Sequence, residues 1–232
     1  MLDLRGRVPA AAPPAAPAAR GLVLSESGLE TMPAWVTKLR RLEMLDLAHN
    51  RLAAVPDELA ALDRLDVLYL GDNRLLAVPE AVRALRALRY LSLADNGIAL
   101  LPAWMGDLDA LVELRLQGNR IAVLPGEIAN LDALRALHLR GNRLAALPAA
   151  IGALTELRHL DVRDNGLRAL PGELAALPRL RVLDLRANRL TTVPDALADA
   201  PALEKLDLRW NALTALPPAA RRLADGGCFV LW

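Results

Sequence analysis

LRVLDLRANRLTTVPDALADAPA, residues 180–202, carries the pattern that decides the fold. Leu183 and Leu185 alternate at period 2, so both point to one face of a short strand. Asn188 ends that strand, and its side chain is expected to bond to backbone groups of the turn and of the next coil, giving a stacked ladder of amides. Pro194 opens the returning segment, where a residue without an N–H suits a first helical position. Asp195 follows it, and an acid suits a helix N-terminus. In the matching stretch upstream, Leu59, Leu62 and Leu65 keep an i, i+3 spacing, which predicts a short helix or 3₁₀ segment on the far side.

The same unit recurs along the chain. Asparagines stand at Asn50, Asn73, Asn96, Asn119, Asn142, Asn165, Asn188 and Asn211, always at the same 23-residue interval. Prolines from Pro33 to Pro217 keep the same period. Two residue types holding one interval across eight copies define a repeat architecture. One unit cannot bury its own leucines, so neighbouring units must share a continuous core.

The unit L-x-x-L-x-L-x-x-N-x-L-x-x-L-P-x-x-L-x-x-L-x-x resembles the leucine-rich-repeat family. Its 23-residue length and Leu-Pro step are similar to the intracellular group that includes Ras-scaffold and Ras-suppressor proteins and many bacterial repeat proteins. The resemblance implies an α/β solenoid, a curved horseshoe with a parallel β-sheet on the concave face and short helices or 3₁₀ turns on the convex face. It also implies work by protein binding on the concave sheet rather than by catalysis.

Composition agrees with a stack of similar layers. Of 232 residues, 54% are hydrophobic but only 3% aromatic, so Leu, Ala and Val must fill the core. A net charge of +1 argues against nucleic acid or an anionic membrane as partner. Cys228 stands alone, which suits a reducing compartment. The opening MLDLRGRVPAAAPP lacks the apolar stretch of a secretory signal, so a cytoplasmic protein is expected. Heavy Ala, Arg and Pro usage suits a high-GC bacterium and keeps open an effector secreted into a host cell.

The ends depart from the unit. Residues 1–19 include the Ala/Pro run 9–19 and are expected to form a disordered tail. Residues 20–232 form the repeat domain. It comprises a degenerate cap at 20–41, with Ser27 in the Asn slot, eight full repeats over about 42–225, and a half-repeat cap at 226–232. In 23-residue register Phe229 and Leu231 take core slots, while Cys228, Val230 and Trp232 face the concave side. That apolar edge leaves two states open, a monomer or a homodimer paired through 228–232.

Stacking the units turns the outward strand positions into columns. One runs Met44, Val67, Tyr90, Glu113, Ala136, His159, Val182, Lys205; the next runs Asp46, Tyr69, Ser92, Arg115, His138, Asp161, Asp184, Asp207. The third ends in Gln117, Arg140, Arg163, Arg186 and Arg209, and Trp210 lies beside the Asn row. The candidate partner-binding residues are therefore Tyr69, Tyr90, Arg115, Gln117, His138, Arg140, His159, Arg163, Arg186, Arg209 and Trp210. Such a face suits a protein partner with an acidic patch. The alternative for the C-terminal half is that Asp161, Asp184 and Asp207 pair with Arg163, Arg186 and Arg209 within the chain.

Catalysis and metal binding are the less favoured classes. His138 and Asp161 are neighbours in one column, but Ser92 lies two strands away, roughly 10 Å by strand spacing. A metal site from His138, His159, Asp161 and Asp184 would compete with the flanking arginines. No phosphate-loop or dinucleotide-binding motif is present. No catalytic residue, cofactor or metal is assigned, and Trp35 and Trp104, two residues after a Pro, are expected on the convex side without a role.

Overall fold

The computed structural model describes all of residues 1–232. Eleven strands form one open, wholly parallel sheet in chain order. They are β1 (Leu2–Asp3), β2 (Gly21–Val23), β3 (Met44–Asp46), β4 (Val67–Tyr69), β5 (Tyr90–Ser92) and β6 (Glu113–Arg115), followed by β7 (Ala136–His138), β8 (His159–Asp161), β9 (Val182–Asp184), β10 (Lys205–Asp207) and β11 (Phe229–Leu231). From β3 to β10 each strand pairs with the next at an offset of one repeat, as in Leu137↔Leu160, so the columns read from the sequence are true neighbours. The return segments are 3₁₀ turns of five residues, each opened by the repeat proline, as in Asp57–Ala61 after Pro56. The leucines between sheet and turns form one core running from Ala16 to Cys228.

The asparagines form the internal ladder that the sequence requires. Asn142 Nδ2 donates to Leu116 O and to Leu139 O, both at 2.9 Å, while its Oδ1 accepts from Ile121 N at 3.0 Å. The partner coil is the one before the Asn, not the one after it. The residue before each Asn sits at positive φ, from His49 (55°) to Trp210 (60°), with Gly118 and Gly141 in two copies. That conformation is the tight turn by which the chain leaves the strand.

Both ends differ from expectation. Residues 1–19 do not run free as a tail; they form one more coil, shorter than the repeats that follow. Leu2 and Asp3 pair with Leu22 and Val23, and Pro13 opens a turn in which Ala16 and Ala19 fill core slots. Small side chains suffice there because a shorter coil encloses less space. Gly6, at positive φ, donates its N–H to Ser27 Oγ, so Ser27 performs part of the missing Asn's work. Trp35 is buried and donates its indole N–H to Pro9 O at 3.1 Å, pinning the segment. Trp104 reaches Glu80 Oε2 of the preceding coil at 2.8 Å.

At the other end the register slips by one residue. β11 pairs Phe229, Val230 and Leu231 with Lys205, Leu206 and Asp207. Val230 therefore takes the core slot, and Phe229 and Leu231 turn to the concave side, the reverse of the 23-residue reading. Cys228 is buried rather than on the concave face. The cause is α1 (Pro218–Asp225), a true α-helix in place of a 3₁₀ turn. An α-helix rises about 1.5 Å per residue against about 2.0 Å for 3₁₀, so the same arc takes more chain. A one-residue shift exchanges every side chain between the two faces of a strand.

Candidate functional site

The concave face is built on strands whose leucines are locked in the core, so its side chains stand on a fixed frame. At its N-terminal half Tyr69 on β4 and Tyr90 on β5 meet with ring centroids 4.9 Å apart and planes tilted by 47°. Arg115 on β6 extends over Tyr90, its guanidinium carbon 5.6 Å from the ring centroid. Glu113 holds that guanidinium, with Arg115 Nε donating to Oε1 at 2.6 Å, and the same Oε1 lies 3.4 Å from His138 Nε2. The result is a connected row of Tyr69, Tyr90, Arg115, Glu113 and His138 across four strands. Glu113 was not among the expected site residues; an acid in the column beside Tyr90 was its only signal in the sequence. His138 turns to Glu113 rather than to Asp161, so the His–Asp pairing considered from the sequence does not form.

Below this row Arg115, Gln117, His138, Arg140, Asp161 and Arg163 line an open polar hollow of about 210 Å³. Gln117 Oε1 is buried there without a hydrogen-bond partner. Burial, aided by the Arg115 charge, holds the His138 imidazole below its ordinary value of 6.5, although Glu113 and Asp161 pull the other way. Burial also raises the Asp161 carboxyl, against the hydrogen bond and charge of Arg163. Tyr90 is raised by burial, with Arg115 opposing.

The His138 shift fixes the sign of a stability effect. The unfolded chain takes the proton first, so this contribution is present above pH 6.5 and is lost as pH falls from there through the folded value. Thermal unfolding of the wild type is thus expected to drop more steeply below pH 6.5 than that of His138→Gln. Parallel Tm–pH curves for the two proteins would contradict this.

The C-terminal half pairs with itself. Arg186 is bound in a fork to Asp184, with Nε at 2.9 Å from Oδ1 and Nη2 at 2.6 Å from Oδ2, and its Nε lies 3.4 Å from Asp207. Arg209 holds Asp207 in the same way, and Arg163 lies between Asp161 and Asp184. Burial favours the neutral form of Asp207, but the side-chain and backbone bonds from Arg209 and the charges of Arg209 and Arg186 overcome it and hold the carboxyl below its ordinary value. Arg140 is drawn aside to Asp164 at 3.1 Å. His159 is exposed on its strand. Trp210, 69% exposed and at positive φ, lies beneath the Arg209 guanidinium, 5.4 Å from the ring centroid. The expected residues therefore divide into a Tyr–Arg–His row above the hollow and a closed Arg–Asp zipper ending at Trp210.

Nothing in this arrangement gathers three or more His, Cys, Asp or Glu side chains as a metal site. Burial pushes the Cys228 thiol up, away from the reactive thiolate. No helix is long and apolar enough to cross a membrane.

A family model described as leucine rich repeat matches residues 40–98 and 155–213, just over half of the chain. No curated protein matches. Among solved structures, the leucine-rich-repeat domain of the type III effector XCV3220 (XopL) is 31% identical, with a TM-score of 0.81 over 91% of this chain and 75% of that one. The ectodomain of the Arabidopsis thaliana receptor kinase GASSHO1/SCHENGEN3, in complex with CASPARIAN STRIP INTEGRITY FACTOR 2, is 32% identical with a TM-score of 0.77 over 86% of this chain. TLR13, in complex with ssRNA13, is 28% identical with a TM-score of 0.74 over 83%. The chain spans 25% of the plant ectodomain and 29% of TLR13.

Proposed function

The chain belongs to the leucine-rich-repeat family, and we propose on that premise that it is a protein-binding module whose partner lies across the N-terminal and central part of the concave sheet. The observation that carries this reading is the Tyr69–Tyr90 pair with Arg115 laid over it. Tyr and Arg are the side chains most often found at binding hot spots, because they bring large area and directed donors at little entropic cost. Here they stand on strands that cannot move without disturbing the core, so little order is lost on binding. Arg186 and Arg209 are already forked onto Asp184 and Asp207, which moves the weight of the proposal from them toward the Tyr row and the hollow beneath it, where Arg163 Nε is buried without a hydrogen-bond partner. A balanced charge favours a protein over an RNA partner. A single buried cysteine suits the cytoplasm, where we place the module. The proposal includes no catalytic step.

Affinity purification with the native chain tests it. Tyr69→Ala with Tyr90→Ala is expected to weaken capture of the recovered partner by about 30-fold or more, as loss of a central aromatic pair does. Arg163→Glu is expected to weaken it through the hollow. Capture unchanged by all three would overturn the concave-face reading.

A second reading is favoured by the likeness to a type III effector domain: the chain acts inside a host cell by binding a host protein. A secretion assay separates the two, and retention in the producing cell would count against the effector.

A further inference from the structure

The sheet is not the only surface that the repeat writes in rows. Between the ladder Asn and the repeat Pro, each coil exposes two residues on one flank of the solenoid. In five successive coils these are Ala53–Ala54, Leu76–Ala77, Ala99–Leu100, Ala122–Val123 and Ala145–Ala146, all exposed. Leu76, Leu100 and Val123 leave 71%, 70% and 66% of their surface to solvent. Beyond them the same slots become polar, with Arg168 and then Thr191–Thr192. The opposite flank carries Asp63, Arg64, Arg86, Asp109 and Asp132. Leu76, Leu100 and Val123, flanked by exposed alanines across five adjacent coils, form a patch of large apolar side chains, and such a patch marks an interaction surface. It is recessed as well: hollows of about 400 Å³ beside Leu76 and about 240 Å³ beside Val123 lie along it.

Charge tells what fits there. The residue after the Asn is Arg51, Arg74, Arg120, Arg143 or Arg189 in five coils, and all five are exposed. No carboxylate lies within ion-pair distance of any of them or of Arg168, whereas the arginines of the concave zipper are paired. Where the row has glycine instead, the space is used. Leu76 folds over Gly97, and beside Gly166 a hollow of about 540 Å³ opens among Arg143, Arg168 and Arg189. Its one carboxylate, Asp164, is already bonded to Arg140. Unpaired guanidiniums beside an apolar strip complement a segment that carries apolar anchors and acidic neighbours.

We propose that this flank docks an acidic amphipathic helix of a partner protein, its apolar stripe on Leu76, Leu100 and Val123 and its carboxylates on Arg143, Arg168 and Arg189. The spacing agrees. Stacked coils advance roughly 4.8 Å each, and a helix returns to the same face about every 5.4 Å, so the two drift apart by only roughly 0.6 Å per coil. From Leu76 to Arg189 the strip covers five steps, roughly 24 Å, the length of a helix of about 16 residues. An extended strand returns to the same face about every 6.6 Å and falls out of step within three coils.

A displayed library of helical peptides of about 18 residues, with a fixed Leu stripe and randomised flanks, tests this directly. Selection on the wild-type chain is expected to enrich Asp and Glu in the flanks. Binding of an enriched peptide is expected to fall about tenfold or more in Leu100→Asp and again in Arg143→Glu with Arg168→Glu, and to be unchanged in Tyr69→Ala with Tyr90→Ala. Leu100, Arg143 and Arg168 are exposed and the two tyrosines are half-buried on the sheet surface, and unchanged thermal unfolding of each variant confirms that binding alone is read. Enrichment of neutral or basic flanks, no enrichment, or binding indifferent to Leu100→Asp would overturn the proposal. So would self-association of the wild type lost in Leu100→Asp, or binding to phosphatidylserine vesicles lost in the same variants, because the occupant would then be a second copy or a lipid surface. The Tyr variants separate its failure from failure of the concave-face reading.

Discussion

Asn142→Asp is expected to lower the free energy of unfolding by about 3–4 kcal/mol at neutral pH, the range for a buried hydrogen-bond centre replaced by a charge. The change is nearly isosteric, so packing is not the cause. Nδ2 of Asn142 donates to Leu116 O and Leu139 O; a carboxylate would turn its own oxygen toward both. Each of those carbonyls keeps a second amide, Leu116 O from Asn119 and Leu139 O from Asn165, so the damage is repulsion rather than orphaned acceptors. Asn142→Ala isolates the other half of the role. It strands Ile121 N–H, whose only partner is Asn142 Oδ1, and about 2 kcal/mol is expected from a buried unpaired donor and lost bonds. The two are told apart by acid. The introduced carboxyl, buried among carbonyls, has a raised pKa, so the Asp variant's deficit shrinks as pH falls and the Ala variant's does not. Guanidinium denaturation at pH 7 and pH ~4.5 reads both, and an Asp deficit equal at the two pH values would refute the electrostatic account.

Gly106→Val is expected to cost about 3 kcal/mol, at the upper end for overpacking, because the obstacle is backbone. A Cβ at Gly106 would stand 2.2 Å from Glu127 O in the next 3₁₀ turn, so the two coils must part on the convex side. In a solenoid each coil touches only its neighbours, and one separated pair weakens the interface on which both halves depend. Gly126→Ala is the matched control. It lies in the following 3₁₀ turn, at no positive φ and with nothing within 4 Å of a new Cβ. It is expected to be neutral or to stabilise by about 0.5 kcal/mol through a stiffer unfolded chain. Equal losses in the two variants would show that turn glycine itself, rather than the close approach at Gly106, sets the stability.

What the sequence revealed and what it concealed follow from the same cause. The constant repeat length sets the strand register from Met44 to Asp207, so every column of the concave face was readable in the letters alone. Where the coil length changes, the period misleads. The first coil is shorter, and Ala16 and Ala19 stand where Leu is expected, so its only marks were Leu2, Leu4 and Pro13. The last coil gains one residue through α1, and Phe229, Val230 and Leu231 exchange faces. The candidate site shows a second limit. The columns place Glu113 beside Tyr90, but only side-chain directions reveal that it joins Arg115 to His138. The apolar flank was plain in the letters Leu76, Leu100 and Val123, yet the slots they occupy are variable in the repeat pattern and draw the eye last.

The asparagine ladder also governs how the protein ages. An Asn followed by Gly is chemically fragile, because the next backbone nitrogen can attack the side-chain amide carbon and expel ammonia, closing a succinimide that water then opens to an aspartyl or isoaspartyl link. Asn96–Gly97 and Asn165–Gly166 are such pairs. In the folded chain both reactants are occupied. The Asn165 amide is bound to Leu139 O, Val162 O and Arg163 O, while Gly166 N donates to Leu144 O at 2.9 Å. Gly97 N is likewise held by Leu75 O. The nitrogen cannot swing to the carbonyl carbon while the coils stay stacked, so damage at these sites requires local unfolding first and its rate records how often neighbouring coils come apart.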